Sequence, residues 1–304
     1  MEGSEKQPQD KDGTAVLIGQ HLLDATGIAL LAGSFAGFGP HFRIPTTVAT
    51  PQGARQIETE DDLQQLFATM SAYYRAKGDI ALDRRVQMAL FDGPDRIRYD
   101  HISIIRRDGQ IIDGPIISHS IAERRDGHWQ VVSSQYVLDP GSVRAAAIVA
   151  DGDSQAQSES PQGAHAALSI FQENLDAVND AYLHEDFEVL QQRLMLPLFK
   201  QGTARSEVIA DTAALREEFD GLTRSFRLHG VTDLVRTVKV AHFLGEDRIF
   251  GSYRTHVLAG TRLVVPSYIS AVTLERDADG QWRMTSIMHP LNAQTIDRDT
   301  PFSH

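Results

Sequence analysis

The second half of the chain carries four side chains whose chemistry could serve one pocket. Tyr253 and His256 lie in one segment of strand-like composition, and Tyr268 and Ser270 lie in the next. Residues two apart share a face of a strand, so Tyr268 and Ser270 point to the same side. A tyrosine or histidine in an apolar pocket donates to a carbonyl oxygen or acts as a general acid or base. These four residues are our candidates for a ligand pocket. The alternative is that they lie at a sheet interface or at a pocket rim.

Four further residues are weaker candidates. Arg254 lies beside the first pair, and His289 ends the last strand-like segment. In the first half, His101 and His119 lie on adjoining strands and could meet, whereas Asp100 faces away from His101. A metal site would need a third ligand, and no spaced motif of His, Asp or Glu supplies one. We therefore expect neither a metal nor a cofactor, and the sequence assigns no catalytic residue.

The elements that must position these residues occur twice. The segment Pro45–Ile97 aligns without a gap with Pro197–Ile249, at a shift of 152 positions. One inserted residue then moves the shift to 153 and matches Trp129 with Trp282. A period this long indicates a duplicated domain rather than a solenoid. Paired aromatic residues on apolar stripes or strands are expected to be largely buried: Phe67, Phe91, Trp129, Phe219, Phe243 and Trp282.

Three of the four candidate pocket residues of the second half are not retained in the first half. A polar pocket is therefore expected in the second half, where the opening helix is also more regular. The alternative is drift after duplication, with neither half catalytic. The matched pairs are Tyr253 with His101, His256 with Ile104, and Tyr268 with Ile116.

Two arginine pairs, by contrast, persist in both halves: Arg84 with Arg236, and Arg96 with Arg248. A retained arginine can anchor an anion, but it more often forms a structural ion pair, and we favour the ion pair. The candidate partners are Asp95 and Asp247, and Glu123 and Glu275.

Composition narrows the classes of protein. The 304 residues suit two domains of about 150 residues each. With 41 acidic and 29 basic residues, the net charge of -12 argues against a nucleic-acid partner. No segment reaches the roughly 18 consecutive apolar residues of a membrane span. The absence of cysteine excludes disulfides and is compatible with a reducing compartment, so we expect a cytoplasmic protein without a membrane partner.

Each half shows the same order of elements: a helix, a short strand, a second helix and an antiparallel meander. Thr59 with Asp62, and Asp211 in the second half, have the spacing of helix N-caps, and Gly230 fits a C-terminal cap. This order predicts an α+β fold. The predicted boundaries are a disordered tail at 1–13, domains at 14–138 and 165–292, a linker at 139–164 and a second tail at 293–304.

Four segments accompany this order of elements and a meander that ends in Gly-x-Trp: Leu196-Pro197, Asp247-Arg248-Ile249, Tyr253-Arg254-Thr255-His256 and Gly280-Gln281-Trp282-Arg283. In these features the chain resembles the NTF2-like (SnoaL-like) superfamily. The resemblance implies two tandem cones, each a curved antiparallel sheet around helices with an internal pocket. Family members commonly dimerise through the sheet, so it also implies an intramolecular pseudo-dimer, open to further homo-oligomers.

Three functions fit this fold, because the family contains both enzymes and domains without chemistry. The first is a protein that holds a small, largely apolar or cyclic compound in a cone. The second is a cofactor-independent isomerase, dehydratase, hydrolase or cyclase that uses Tyr and His of the second domain. The third is an interaction scaffold with filled cones. A structure that shows the cavity and its lining discriminates among them.

Overall fold

The computed structural model describes residues 9–50, 53–138, 148, 161–202 and 206–289. The chain divides into two compact units, Met1–Gln157 (domain 1) and Ser158–His304 (domain 2). Most of the predicted linker, the C-terminal tail and the first eight residues lie outside the described residues.

Domain 1 is a six-stranded sheet that packs against helices. The sheet order is β2-β1-β6-β5-β4-β3; β1 and β6 are parallel, and the other pairs are antiparallel. The helices are α1 (Gln9–Ala32), α2 (Phe35–Phe38), a 3-10 turn (Gly39–His41) and α3 (Glu60–Arg75). The strands are β1 (Phe42–Thr50), β2 (Gly53–Ile57), β3 (Ala81–Phe91), β4 (Arg96–Arg107), β5 (Gln110–Arg125) and β6 (His128–Val137).

Domain 2 repeats this architecture, with the parallel pair now formed by β7 and β13. Its sheet runs β11-β10-β12-β13-β7-β8, and β9 also pairs with β10. The helices are α4 (Pro161–Leu183), α5 (Phe187–Arg193) and α6 (Thr212–His229). The strands are β7 (Leu194–Gly202), β8 (Ser206–Ile209), β9 (Asp233–Phe243), β10 (Arg248–Ala259), β11 (Arg262–Leu263), β12 (Tyr268–Arg276) and β13 (Trp282–His289). The predicted α+β architecture, repeated in two domains, is confirmed, although each sheet contains one parallel pair and is therefore mixed rather than antiparallel.

The predicted helix ends are also confirmed in atomic detail. The Thr59 hydroxyl accepts a hydrogen bond from the Asp62 amide at 3.1 Å, and the Asp62 carboxylate accepts one from the Thr59 amide at 3.0 Å. Asp211 accepts from the Ala214 amide at 2.9 Å. Gly230 ends α6 at φ 64°, a left-handed conformation that glycine adopts without a Cβ clash. Local chemistry therefore determines where α3 and α6 begin and where α6 ends.

Two boundaries lie earlier than the sequence indicated. Helix α1 begins at Gln9, inside the segment predicted as a tail, and α4 begins at Pro161, inside the predicted linker. Once the apolar part of a helix has formed, adding polar residues costs little, and acidic residues are favourable in the first turns. Proline is suited to the first helical position, where no hydrogen bond is lost.

Four of the six paired aromatic residues are less buried than predicted. Phe67 and Phe219 lie in the cores, with 6% and 2% of their surface exposed. The other four are only partly buried, at the edge of the core. They form two matching pairs whose ring centroids are 6.0 Å and 5.9 Å apart: Phe91 with Trp129, and Phe243 with Trp282.

Helix α1 is more apolar than its counterpart α4. Its stretch Gly13–Ala32 is long and apolar enough to cross a membrane, a property that core helices and signal sequences share. Ala15, Leu22 and Leu23 are buried, and the helix packs on β3. The packing accounts for this apolar face, whereas Leu17 on the other side is 71% exposed.

Candidate functional site

Domain 2 encloses a cavity of about 70 Å³ between its helices and the inner face of its sheet. Every helix of the domain and all of its strands except β11 contribute to the lining. Part of the lining is apolar, with Leu194, Leu198, Ile209, Leu215 and Met284 among its residues. The polar lining residues are Tyr182, Lys200, Glu218, Arg236, Tyr253, Tyr268 and His289.

Strand register brings three of the predicted residues into one row across the sheet. Tyr253 on β10 is opposite Ser270 on β12, and Ser270 Oγ lies 2.7 Å from His289 Nδ1 on β13. Ser270 also makes a side-chain hydrogen bond with Tyr253. The ring of Tyr268 contacts that of His289 edge-on, at 6.0 Å between centroids. The row therefore places a phenol, a hydroxyl and an imidazole in one connected chain at the cavity.

An ion pair forms a second wall of the cavity. Lys200 on β7 donates a hydrogen bond to Glu218 on α6 and lies 3.5 Å from Glu207 on β8. Glu218 is 4% exposed, so its charge is buried. A buried carboxylate is tolerated when it is paired and hydrogen-bonded, as this one is.

Arg236 is the second cationic residue of the cavity. It lies on β9 opposite Thr255, with its guanidinium carbon 5.8 Å from the centroid of the Tyr253 ring. Its Nε atom is buried and has no hydrogen-bond partner among the residues that the structure describes. An unsatisfied buried donor costs free energy, so this N–H group is available to donate a hydrogen bond to an acceptor on a ligand.

The environment of the cavity keeps its titratable row neutral. Burial lowers the pKa of His289 to about 3, and the charges of Lys200 and Arg236 act in the same direction. Burial raises the pKa of Tyr253 above its ordinary value, although Arg236 and the hydrogen bond with Ser270 oppose that shift. Burial likewise raises the pKa of Tyr182. Near neutral pH the row therefore offers uncharged hydrogen-bonding groups beside fixed cations.

Some of the residues predicted from the sequence lie at the cavity and others do not. Tyr253 and Tyr268 line the cavity, Ser270 connects to it, and His289, a weaker candidate, lies in its wall. His256 is not part of the lining, because it is an odd number of residues from Tyr253 and faces the other side of β10. Arg254 also points away and donates to Ser267 Oγ at 3.3 Å.

Several polar residues of the lining have no local signal in the sequence. Nothing in the pattern around Tyr182, Lys200 or Glu218 indicates a pocket, and the pattern at Arg236 favours an ion pair. The ion-pair interpretation fits the other arginine pair: Arg96 lies 3.4 Å from Glu123, and Arg248 lies 3.6 Å from Glu275. For Tyr182, Lys200 and Glu218 the available signal was the asymmetry between the repeats, since their matched positions in domain 1 are apolar.

Domain 1 has apolar residues at four of the matching positions, although Arg84 and His101 keep polar side chains at the positions that match Arg236 and Tyr253. At the shift of 152, Tyr182, Lys200, Glu218 and Tyr268 match four residues that are buried in one hydrophobic cluster. This part of the polar lining is thus a property of domain 2 and not of the fold in general. These residues of domain 1 are Leu30, Val48, Leu66 and Ile116.

The histidines of domain 1 do not meet. His101 shares a strand face with Tyr99, which packs on α1, and its Nε2 lies 3.2 Å from Ser120 Oγ. His119 Nδ1 lies 2.5 Å from Asp100 Oδ1, on the opposite face. Adjoining strands do not suffice, because the register places His119 opposite Asp100 rather than His101. Among the described residues, no group of three His, Cys, Asp or Glu side chains could hold a metal ion.

Several solved structures are similar to this chain. An NTF2-like protein of unknown function from Shewanella oneidensis is 13% identical; the match covers 40% of this chain and 98% of that one, with a TM-score of 0.34. An NTF2-like protein with a cystatin-like fold from Novosphingobium aromaticivorans is 15% identical, with coverages of 45% and 89% and a TM-score of 0.35. A ketosteroid isomerase-like protein from Erwinia carotovora atroseptica is 17% identical, with coverages of 40% and 92% and a TM-score of 0.31.

The other comparisons give no match: neither the protein-family models nor the curated proteins match this chain. Identities and TM-scores this low do not transfer an activity. The function has to be inferred from the cavity of domain 2.

Proposed function

We propose that domain 2 binds a small molecule in its cone, and that the matching space of domain 1 serves packing. The observation that carries this proposal is the cavity of domain 2, where polar side chains from several elements converge. Domain 1 has buried leucine, valine and isoleucine at four of the matching positions. A binding pocket typically combines apolar walls with a few placed polar groups, as this cavity does.

The volume limits the size of the ligand. The cavity of about 70 Å³ exceeds the roughly 10–15 Å³ that a single water requires. Ordinary ligand pockets measure about 300–1,000 Å³, so only a small molecule fits without rearrangement. A compact or cyclic compound with one polar group matches both the volume and the mixed lining.

The titration behaviour favours binding over catalysis. A general acid or base works best when its pKa lies near the working pH. The pKa of His289 is about 3, and that of Tyr253 is raised, so neither group is suited to transfer protons near neutral pH. The same neutral groups can orient a bound ligand.

The expected cytoplasmic location, pseudo-dimer, and absence of membrane and nucleic-acid partners stay predictions.

A pair of matched variants tests the proposal. Ile209 lines the cavity, and Ile57 occupies the same place in domain 1, where it is fully buried. Binding of small ketones, lactones, epoxides and carboxylic acids would be followed by ligand-observed NMR. Ile209→Phe fills the cavity and should abolish binding, whereas Ile57→Phe should leave it unchanged. Equal loss in both variants, or no binding by the wild type, would favour the scaffold function.

A further inference from the structure

Arg84 and Arg236 are equivalent residues in equivalent backbone positions. The carbonyl oxygen of Arg84 accepts a hydrogen bond from Gln20 at 2.9 Å, and that of Arg236 accepts one from Gln172 at 2.9 Å. Each glutamine also accepts from the amide two residues further along the strand, at 3.0 Å and 3.1 Å. The first helices of the two domains therefore align with the same shift of 152 as the strands, and residues can be compared one by one.

The two guanidinium groups nevertheless have different partners. Arg84 Nη1 donates to Thr26 Oγ1 at 2.8 Å and to the Leu23 carbonyl at 3.2 Å. The residue that matches Thr26 in domain 2 is Val178, whose side chain has no acceptor. Arg236 Nε is buried without a partner among the described residues, and the side chain lines the cavity. In domain 1 the guanidinium of Arg84 is therefore hydrogen-bonded within the domain. In domain 2 the equivalent Arg236 lines the cavity instead.

The charge of Arg236 affects the pKa of three other residues of the lining. It contributes to the lowered pKa of His289 and opposes the rise in the pKa of Tyr182 and of Tyr253. These three residues come from α4, β10 and β13, and Arg236 lines the same cavity as all of them. The other cation, Lys200, is already engaged by Glu218 and Glu207.

We propose that the ligand of domain 2 is a small carboxylate whose anionic group is held by Arg236. This inference rests on the proposed function and specifies its ligand. A guanidinium offers parallel N–H donors in a planar fork that matches a carboxylate. The cavity volume restricts the acid to a short carbon chain or a small ring, with its hydrocarbon part against the apolar lining.

The experiment compares acids with their amides, which have the same shape but no charge. The probes are cyclopropanecarboxylate with cyclopropanecarboxamide, and isobutyrate with isobutyramide, titrated by NMR and calorimetry. The wild type should prefer the acids. Arg236→Met should weaken acid binding by roughly 10- to 100-fold, the range expected for a lost charged hydrogen bond, and should leave amide binding nearly unchanged. Arg84→Met, the matched change in domain 1, should leave acid binding as it is.

A second variant tests the inference without removing the charge. Val178→Thr has nearly the same shape and supplies the acceptor that Thr26 supplies to Arg84. The new hydroxyl should accept a hydrogen bond from the Arg236 guanidinium and so weaken acid binding several-fold. A merely structural role of Arg236 predicts no change in acid binding.

The outcomes separate the inference from the function on which it rests. Equal binding of acids and amides, or undiminished acid binding by Val178→Thr, would overturn the carboxylate assignment while leaving a ligand site in domain 2. Absence of binding by every acid, amide and ketone would overturn the proposed function itself. If Arg236→Met does not fold, Val178→Thr decides the question alone.

Discussion

The ring of Phe171 on α4 fills the space that Gly251 leaves open on β10. A Cβ added to Gly251 would lie 2.6 Å from Phe171 Cε2. At the matching contact in domain 1 the large and small residues are exchanged, since the glycine, Gly19, lies on the helix and the aromatic residue, Tyr99, lies on the strand. A Cβ added to Gly19 would lie 3.2 Å from Tyr99 Cδ2. Close packing requires a large residue on one side and a small one on the other, and the two domains meet that requirement in opposite ways.

Gly251→Ala is predicted to destabilise domain 2 by about 1–3 kcal/mol, the usual cost of overpacking. The new methyl group would meet both the Phe171 ring and the Val240 carbonyl oxygen, the latter at 2.8 Å. Differential scanning calorimetry measures the effect. Gly13→Ala is the control, because nothing lies within 4 Å of the added carbon. A melt of Gly251→Ala identical to that of the wild type would show that the helix and sheet can separate freely.

Phe219→Ala is predicted to cost about 3–5 kcal/mol, because it empties the centre of the core of domain 2. The Phe219 ring lies 5.5 Å from those of Tyr182 and Phe187 and is 2% exposed. Leu228→Ala, at a site that is 59% exposed on the same helix, should change stability much less. Denaturant titration compares the two. Similar midpoints would mean that the second helix faces the core with a different side.

Thr26→Val is predicted to destabilise domain 1 by about 1–2 kcal/mol, because Arg84 loses an acceptor. The change makes domain 1 resemble domain 2, where Val178 stands at this position. The Thr26 hydroxyl also donates to the Leu22 carbonyl at 2.7 Å, but a helical carbonyl keeps its backbone partner. Chemical denaturation measures the loss. Thr69→Val, at an exposed helical threonine that also donates within its helix, is the control and should have a smaller effect.

Much of the fold could be predicted from the sequence because its signals are local. The capping pair Thr59 and Asp62 and the C-terminal Gly230 act within one turn of helix, so their residue types and spacing suffice. The duplication adds independent evidence, because each element is observed twice. The short helix Phe187–Arg193 was not predicted, since seven residues give too few turns for an apolar period to show.

The site was harder to predict because it depends on long-range register. Tyr253 and Ser270 are brought together by strand pairing, and a shift of one residue would turn either to the other face. Lys200 and Glu218 come from a strand and a helix whose orientation around the cavity has no local signal. The comparison of matched positions could have found them, since buried apolar residues replace both in domain 1.

The stability of domain 2 is predicted to fall in mild acid because of His289. Its pKa is about 3 in the folded protein, and an unfolded histidine has a pKa of about 6.5. Between these values the unfolded chain binds a proton that the folded chain does not, so the free energy of unfolding decreases as the pH falls, by up to about 1.4 kcal/mol per pH unit.

His289→Gln keeps a hydrogen-bonding group for Ser270 and removes this titration. Between about pH 7.5 and about pH 5, the wild type should lose about 2 kcal/mol more than the variant in denaturant titrations. The shifted pKa of His41, lowered by burial and by His21, acts in the same direction but is common to both proteins. Parallel pH profiles for the two proteins would mean that His289 takes up a proton in the folded state, and that the cavity is open to water.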